Sequence, residues 1–144
     1  MTQSNNSKNS WIQDHLTKYI QTNGEDGHIW KGMPTLLLTT TGRVSGQFHT
    51  TPLIYGKFEK KVLIVASRGG APTHPQWYLN ILDSPKIEIQ ILSDKFHAIA
   101  RTATQDEKPE LWNIMTEIFP MYNNYQLKTD RIIPLVIIER ISEL

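Results

Sequence analysis

A hairpin over residues 34–55 limits the architectures open to this chain. Residues 36–41 and 50–55 are rich in β-branched, aliphatic and aromatic side chains, as strands are. Gly42 and Gly46 bracket the polar connection between them. The pattern predicts two antiparallel strands joined by a short turn, and therefore a sheet built from local pairings.

The tip of this hairpin combines a cation, a hydroxyl group and an imidazole, from Arg43, Ser45 and His49. Glycine permits positive φ and close approach of a ligand to the backbone, and free N–H groups in such a turn can form an anion-binding nest. Exposed hairpin tips often contain the same residue types without binding anything. The turn therefore indicates an anion site only if the rest of the chain supports one.

Length and composition exclude several classes of protein. The chain has 144 residues, no cysteine and a formal charge of +1. We predict a disordered segment over residues 1–9 and a single domain over residues 10–144. The absence of cysteine excludes disulfides and thiolate chemistry and fits a reducing cytoplasm. No global charge attracts nucleic acid, no apolar run could span a bilayer, and the polar N-terminus is unlike a signal peptide, so we predict a soluble cytoplasmic protein.

Periodicity predicts the other elements. Apolar residues at helical spacing indicate a helix over residues 11–21, packed on the domain rather than on a membrane. Alternation predicts a strand over 62–67 and a hairpin over 86–100, and Thr104 with Glu107 forms the capping-box signature of a helix that ends at Pro120. The last apolar strand, 132–138, contains Pro134, which suggests an edge or a bulge.

A glycine loop precedes the helix predicted over residues 76–82. It follows a strand directly, and Pro75 suits the first turn of the helix, with Thr73 or His74 as its cap. A strand, a glycine loop and a helix N-terminus in series favour anion binding, because the unpaired N–H groups point into the loop. The spacing is not GxGxxG and no βαβ pattern surrounds it, which disfavours a nicotinamide-binding Rossmann unit.

Most catalytic templates are missing. No HExxH, P-loop or GxSxG motif occurs, and the five histidines lack metal-ligand spacing, so we predict no metal site. Carboxylates are sparse around the glycine loops, which argues against hydrolase chemistry. Hydroxyl groups, turns, two basic side chains and aromatic rings suit a flat, phosphorylated ring system that supplies the reaction itself.

Several motifs occur together in one order. They are Thr39-Thr-Thr-Gly-Arg-Val-Ser-Gly46, Thr51-Pro-Leu53, Ala66-Ser-Arg-Gly-Gly-Ala-Pro72, Pro75, Trp77-Tyr78, Asn80, Tyr122, Tyr125-Gln126, Thr129-Asp-Arg131 and Ile133-Pro134. Over about residues 31–139 the chain resembles the deazaflavin-dependent nitroreductase family. The resemblance implies an α+β fold, an antiparallel split β-barrel with about three helices. It also implies coenzyme F-420, an 8-hydroxy-5-deazaflavin with a phosphate and an oligoglutamate tail, as hydride carrier for a small quinone, nitro compound or activated alkene.

The resemblance also implies site residues. Cofactor contacts would come from Arg43, Val44, Ser45, His49, Thr50, Thr51, Pro52, Leu53, Ile54, Val65, Ala66, Ser67, Arg68, Gly69, Gln76, Trp77, Tyr78, Asn80 and Tyr122. Substrate contacts would come from Ser67, Phe119, Tyr122 and Tyr125, and the catalytic residues would be Ser67, Tyr122 and Tyr125. The hairpin would hold the phosphate and tail, and residues 65–69 would follow the ring.

The chain departs from the family pattern at two positions. Val44 replaces a usual lysine and His49 a common basic residue, so phosphate binding would depend on Arg43, with Arg68 as a possible helper. A split barrel could instead hold FMN, FAD or haem, or carry a cofactor without catalysis. Taken alone, the two tyrosines, Trp77 and Trp112 would be packing residues and Arg68 a solvated charge. The sequence is compatible with a monomer or a homodimer.

Overall fold

The computed structural model describes residues 4–6 and 10–144, which form nine strands, four helices and one short 3-10 turn. In chain order these are β1 (Ser4–Asn6), α1 (Ser10–Thr22), β2 (Ile29–Trp30), β3 (Met33–Thr41), β4 (Phe48–Ile54), β5 (Gly56–Phe58), β6 (Lys61–Val65), the 3-10 turn (Arg68–Gly70), α2 (Gln76–Asp83), β7 (Lys86–Ile91), β8 (Asp94–Thr102), α3 (Lys108–Ile118), α4 (Met121–Leu127) and β9 (Leu135–Glu143). None of the helices in the described part is long and apolar enough to cross a membrane.

The strands pair in the order β1-β4-β3-β7-β8-β9-β6-β5, with β2 added to β3. All pairings are antiparallel except that of β1 with β4. β4 and β5 lie near opposite ends of this order, yet only Tyr55 separates them in the chain. The sheet must therefore curl until its two ends approach each other, as in a barrel that stays open along one side.

Both faces of the central strands are buried, which explains their nearly continuous apolar sequence. On β6, Val62 and Ile64 point into the curled sheet, whereas Leu63 and Val65 pack on the outer cluster that includes α3 and α4. Full burial of one such side chain stabilises the fold by about 1.5–3 kcal/mol. These two clusters fix the curvature of the sheet and the position of the helices.

α1 packs on the outside of β3. Leu16 and Tyr19 are completely buried and contact Leu37. The Tyr19 hydroxyl donates to the Thr35 carbonyl at 3.1 Å and accepts from the Leu92 N–H at 2.8 Å. Burial raises the pKa of Tyr19 to about 12, so this hydroxyl keeps its proton. The predicted helix and its packed face are confirmed.

The final strand differs from its prediction. It begins at Leu135, after Pro134, and lies between β8 and β6 rather than at an edge. Pro134 makes no ladder bond through nitrogen, but its carbonyl accepts from the Ala66 N–H at 2.9 Å. The proline thus ends the preceding segment, which is compatible with a central strand that starts one residue later.

Smaller differences concern caps and termini. Pro75 itself is the N-cap of α2 and makes no side-chain capping bond. The Thr73 hydroxyl instead accepts from Arg68, and the His74 ring accepts from Arg131. Trp112, expected in the core, is only half-buried and donates to Asn123 Oδ1 at 2.8 Å. Of the segment 1–9, predicted to be disordered, residues 4–6 form a strand because they pair with β4, and the other residues lie outside the described part. The sheet has more strands than the six predicted, and there are four helices rather than three.

Candidate active site

Two adjoining cavities lie along β4. The first, which we call the hairpin cavity, has a volume of about 520 Å³ and lies between the β3–β4 turn and α2. Its lining consists of Thr40, Gly42, Arg43, Val44, Ser45, His49, Thr50, Thr51, Gln76, Trp77 and Asn80. Most of these residues come from the hairpin that the sequence singled out.

The hairpin turn closes tightly over Gly42. A Cβ atom there would lie 2.7 Å from His49 Nε2, 2.9 Å from Ser45 Oγ and 3.0 Å from the Gln47 carbonyl. The Gly42 N–H donates to that same carbonyl at 2.7 Å, and the Gly46 N–H donates back to the Gly42 carbonyl at 2.8 Å. A side chain at position 42 would press on all three atoms, and because the Gln47 carbonyl belongs to the backbone, the turn would have to shift to accept one.

Arg43 is held in the hairpin cavity by amide oxygens. Its Nη1 donates to Asn80 Oδ1 at 2.9 Å and its Nη2 donates to Gln76 Oε1 at 2.8 Å. Asn80 in turn donates to Thr40 Oγ1 at 3.2 Å. Neutral partners orient the guanidinium without cancelling its charge, so the cation is available to an anion.

The N-terminus of α2 contributes further donors. The N–H groups of Gln76 and Trp77, its first two residues, have no acceptor among the residues described. Together with the helix dipole they favour negative charge in the hairpin cavity. Val44 lines the same cavity with 91% of its surface exposed, where a lysine would add a second cation.

The second cavity, which we call the aromatic cavity, has a volume of about 510 Å³ and shares Thr51 and Trp77 with the first. Its lining consists of Trp11, Ile12, His15, Trp30, Thr35, Thr51, Pro52, Leu53, Ile54, Val65, Ser67, Arg68, Gly69, Pro75, Trp77, Phe119, Tyr122 and Tyr125. No carboxylate belongs to this lining as far as the chain is described. The two cavities therefore form one elongated cleft with a cationic end and an aromatic end.

A left-handed turn forms one wall of the aromatic cavity. Arg68, Gly69 and Gly70 have φ values of +46°, +63° and +81°. A left-handed conformation costs a non-glycine residue such as Arg68 about 1–2 kcal/mol. The N–H groups of Arg68 and Gly69 have no acceptor in the described structure, and a Cβ on Gly69 would meet no atom. The strained turn thus presents two amide donors in a place that a ligand can approach closely.

Three aromatic rings form a second part of the lining, next to this turn. Phe119 and Tyr122 meet edge to face at 5.0 Å, and Tyr125 lies 6.4 Å from Tyr122. Tyr122 is only 4% exposed, and its burial, with Tyr125 adding to the effect, raises the pKa of its hydroxyl well above the ordinary value. At neutral pH this hydroxyl is therefore protonated and can donate a hydrogen bond.

The structure brings nearly all predicted site residues to the cleft. Two exceptions are Ala66, buried inside the curled sheet, and Tyr78, whose ring belongs to the core and whose hydroxyl hydrogen-bonds Thr102 Oγ1 at 2.7 Å. Arg68 lines the aromatic cavity while Arg43 lines the hairpin cavity, so the two cations do not share a pocket.

Sequence reasoning missed the N-terminal contribution to the aromatic cavity. Trp11 stacks on Trp30 at 5.8 Å with an interplanar angle of 13°, and both rings line the cavity together with Ile12, His15 and Thr35. The helical periodicity of α1 showed that one face packs on the domain, but it contained no signal for which surface that face covers. Thr40, Gly42 and Pro75 were also missed, although their neighbours were named.

A curled antiparallel sheet that stays open along one side defines a split-barrel protein. Comparisons with known proteins narrow the class. A family model described as F420H(2)-dependent quinone reductase matches residues 11–140. The chain is 40% identical over 131 residues to a quinone reductase of that name from Mycobacterium tuberculosis, covering 88% of this chain and 87% of the relative.

Two solved structures support the same family and fold. One, described as a domain-swapped dimer, has a TM-score of 0.72 and 33% identity, with 92% of this chain and all of the other covered. Another, an F420-H2 dependent reductase, has a TM-score of 0.68 and 38% identity, with 74% of this chain and 94% of the other covered. The chain belongs to the F420H(2)-dependent quinone reductase family and has the split-barrel fold.

Proposed function

We propose that this chain binds coenzyme F-420 along the whole cleft and passes hydride from its reduced form to a quinone. The observation that carries the proposal is the pairing of a cationic cavity with an aromatic one, joined at Thr51 and Trp77. A ligand with a phosphorylated tail and a flat ring system matches both halves. The family membership supports the same cofactor and makes the chain an oxidoreductase.

The hairpin cavity fits the phosphate and the tail. Arg43 offers a charge-assisted contact, and Ser45 and Thr50 line the cavity beside it. The unpaired N–H groups of Gln76 and Trp77, at the start of α2, add neutral donors to the same cavity. Because Val44 and His49 replace basic residues, we expect most of the electrostatic attraction to come from Arg43 and therefore to weaken with salt.

The aromatic cavity fits the ring and the acceptor together. The Arg68 and Gly69 amides can donate to polar edges of the ring, and Trp77 lies where the two cavities meet. When bound, the deazaflavin supplies or accepts a hydride at carbon. The protein supplies orientation, because it holds the ring and the acceptor in one cavity, and this is the source of a proximity effect.

Tyr122 and Tyr125 define the acceptor side of this cavity with Phe119 and Ser67. The protonated Tyr122 hydroxyl can donate to an acceptor oxygen and stabilise the negative charge that grows there as hydride arrives. A quinone takes up one hydride and one proton to become the hydroquinone, and water or a tyrosine hydroxyl delivers the proton. Nitro compounds and activated alkenes present similar electron-poor centres.

The proposal extends to assembly and location. The similar structure described as a domain-swapped dimer supports a homodimer. A cytoplasmic site of action is the prediction made from the cysteine-free sequence.

Two measurements test the proposal. Titration with oxidised coenzyme F-420 should give saturable binding, which Arg43→Ala should weaken by about 1.5–3 kcal/mol, as expected for loss of a charged hydrogen-bonding partner. Mixing the protein with reduced cofactor and a small quinone should oxidise the cofactor far faster than buffer does. Deuterium at the transferred position should slow this step with a primary isotope effect.

Arg140→Ala is the matched control, since Arg140 pairs with Asp94 and Glu143 on the surface away from both cavities. It should leave binding unchanged. Capture of FMN, FAD or haem instead of coenzyme F-420 would refute the cofactor assignment for this chain. Tight binding without oxidation by any quinone, nitro compound or activated alkene would identify a carrier rather than a reductase.

A further inference from the structure

Arg131 lies between α4 and β9 and reaches across to the loop that forms the left-handed turn. Its Nη1 and Nη2 atoms donate to the carbonyl oxygens of Ala66 at 3.2 Å and Ser67 at 2.7 Å. Its Nε atom donates to the carbonyl of Ala71 at 2.8 Å. One guanidinium therefore bonds the backbone on both sides of residues 68–70.

The side chain of Gln126 holds the backbone around Arg131 in place. Gln126 Nε2 donates to the Arg131 carbonyl at 2.8 Å, and Gln126 Oε1 accepts from the Ile133 N–H at 2.8 Å. No carboxylate among the described residues forms an ion pair with Arg131. Its charge is thus balanced by carbonyl dipoles of the loop, each of which gains a charge-assisted bond.

The same loop touches the helix that contains the two tyrosines. A Cβ on Gly70 would lie 2.8 Å from the Tyr125 carbonyl and 3.0 Å from its Cα, so the turn packs directly on α4. A shift of the turn would change the distance between the Arg68 and Gly69 amides and the aromatic wall. The geometry of the aromatic cavity therefore depends on what holds the turn.

We propose that Arg131 is a positioning residue that holds the 66–71 loop in its strained conformation, and that it does so only while His74 is neutral. The first part rests on the hydrogen bonds from Arg131 to the loop alone. Only the consequence for binding rests on the function proposed above, because the turn is where the ring of the cofactor would lie.

His74 is a further hydrogen-bond acceptor for the Arg131 guanidinium. Its Nδ1 lies 3.0 Å from Arg131 Nη1, and since guanidinium only donates, Nδ1 accepts and the ring is neutral with its proton on Nε2. The other ionisable group facing His74 is Tyr78 of α2, with ring centroids 4.9 Å apart, and Arg68 acts on Arg131 from the turn. No carboxylate in the described chain pairs with His74.

Burial, and after it the charge of Arg131, lower the pKa of His74 below its ordinary 6.5. The neutral form is therefore favoured in the folded protein, and the contact is complete above pH 6.5. As the pH falls below that value, protonation sets two cations against each other and breaks the bond. Arg131 should therefore hold the loop less firmly as the pH falls below 6.5, and not as it rises.

Amide hydrogen exchange of the protein without added cofactor tests directly whether Arg131 holds the loop. The Gly70 and Ala71 N–H groups bond to the Ser67 and Arg68 carbonyls inside the loop, so their protection factors report its closure. Arg131→Met should lower both protection factors by about tenfold or more, the equivalent of one charged hydrogen bond. Arg131→Lys, which keeps the charge but loses the fork, should fall between, and Arg140→Met on the surface should change neither.

Binding provides the second readout. The dissociation constant for coenzyme F-420 should be higher for Arg131→Lys than for the wild type, and highest for Arg131→Met. The amides of α1 and the sheet should keep their protection factors. Unchanged protection of Gly70 and Ala71 in both Arg131 variants would overturn the proposal. If the wild-type protein binds no coenzyme F-420, the proposed function fails, but the exchange result still decides whether Arg131 holds the loop. If Arg131→Met does not fold, Arg131→Lys and the following variant decide it.

The dependence on His74 has its own variant. In His74→Asn the amide oxygen replaces Nδ1 as acceptor but cannot be protonated near neutral pH. Wild-type protection factors at Gly70 and Ala71 should fall as the pH is lowered from 8 to 5, and those of His74→Asn should stay level. Parallel pH profiles for the two proteins would show that His74 does not control the loop and would overturn that part of the proposal.

Discussion

Tyr122 combines two roles that sequence reasoning treated as alternatives. Its ring is buried among Phe119, Tyr125 and Trp112, as a packing residue would be, while its surface also lines the aromatic cavity. An alanine at this position would therefore confound folding with function. Truncation of a large buried aromatic residue costs about 3–5 kcal/mol, enough to obscure any kinetic effect.

The hydroxyl can be tested separately. Tyr122→Phe keeps the edge-to-face packing but removes the protonated donor, so we expect a lower kcat/KM for quinone reduction with nearly unchanged Tm. Tyr55→Phe is the matched control, because its buried hydroxyl contacts His28 Nε2 at 2.9 Å outside both cavities. Normal kinetics in Tyr122→Phe would show that the ring only packs.

At the scale of elements, the start of α3 shows how local chemistry fixes a boundary. The Thr104 N–H donates to Glu107 Oε1 at 2.9 Å, and the Glu107 N–H donates back to Thr104 Oγ1 at 3.3 Å. This reciprocal pair confirms the predicted capping box. Both guanidinium Nη atoms of Arg101 in β8 also bind the Glu107 carboxylate, each at 2.8 Å, and so tie the helix to the sheet.

These contacts predict a pH dependence. The Arg101 side chain, followed by the Thr104 N–H, lowers the pKa of Glu107 from 4.5 to about 2. A folded-state pKa below the unfolded one adds stability above pH 4.5 that is lost as the pH falls toward 2. Glu107→Gln should thus have a lower Tm than wild type at pH 7, and the difference should vanish near pH 2.

Glu110→Gln controls for loss of a carboxylate in the same first turn, because Glu110 has no hydrogen-bond or ion-pair partner among the described residues. Its Tm difference should be small at every pH. A Glu107→Gln difference that persists unchanged into acid would contradict the role of the ionised carboxylate.

At the scale of the whole molecule, the aromatic cavity is assembled from segments far apart in sequence. α1 and β2 provide the stacked Trp11 and Trp30, whereas α4 provides the tyrosines. Trp11 is 52% exposed, so its ring covers the cavity more than it fills the core. The N-terminal helix consequently forms an outer wall for whatever the cavity binds.

Removal of that wall should affect the acceptor more than the fold. We expect Trp11→Ala to raise the KM for a bulky quinone by roughly fivefold, which corresponds to about 1 kcal/mol of lost apolar contact. Cofactor affinity and Tm should change little. Ile20→Ala, on the same helix, 44% exposed and outside both cavities, should behave as wild type. Equal KM values in the two variants would show that Trp11 does not contact the acceptor.

The sequence by itself determined the elements and their boundaries wherever the signal is local. The first hairpin, the face of α1 and the capping box of α3 each depend on residues a few positions apart, whose propensities and hydrogen bonds act in any context. The motif resemblance added the family and the cofactor. Most of the cleft was predicted for the same reason, because its residues lie in short motifs.

Only the tertiary structure decided which distant segments meet. Pro134 suggested an edge strand, yet β9 is central, because its position depends on burying both faces between β8 and β6. Arg131 contacts a loop about sixty residues earlier, and Trp11 contacts a cavity formed mainly by later elements. Tyr78 was assigned to the site beside Trp77, but successive helical positions face different surroundings and it lies in the core. Such pairings are set by the packing free energy of the whole chain, which no local pattern contains.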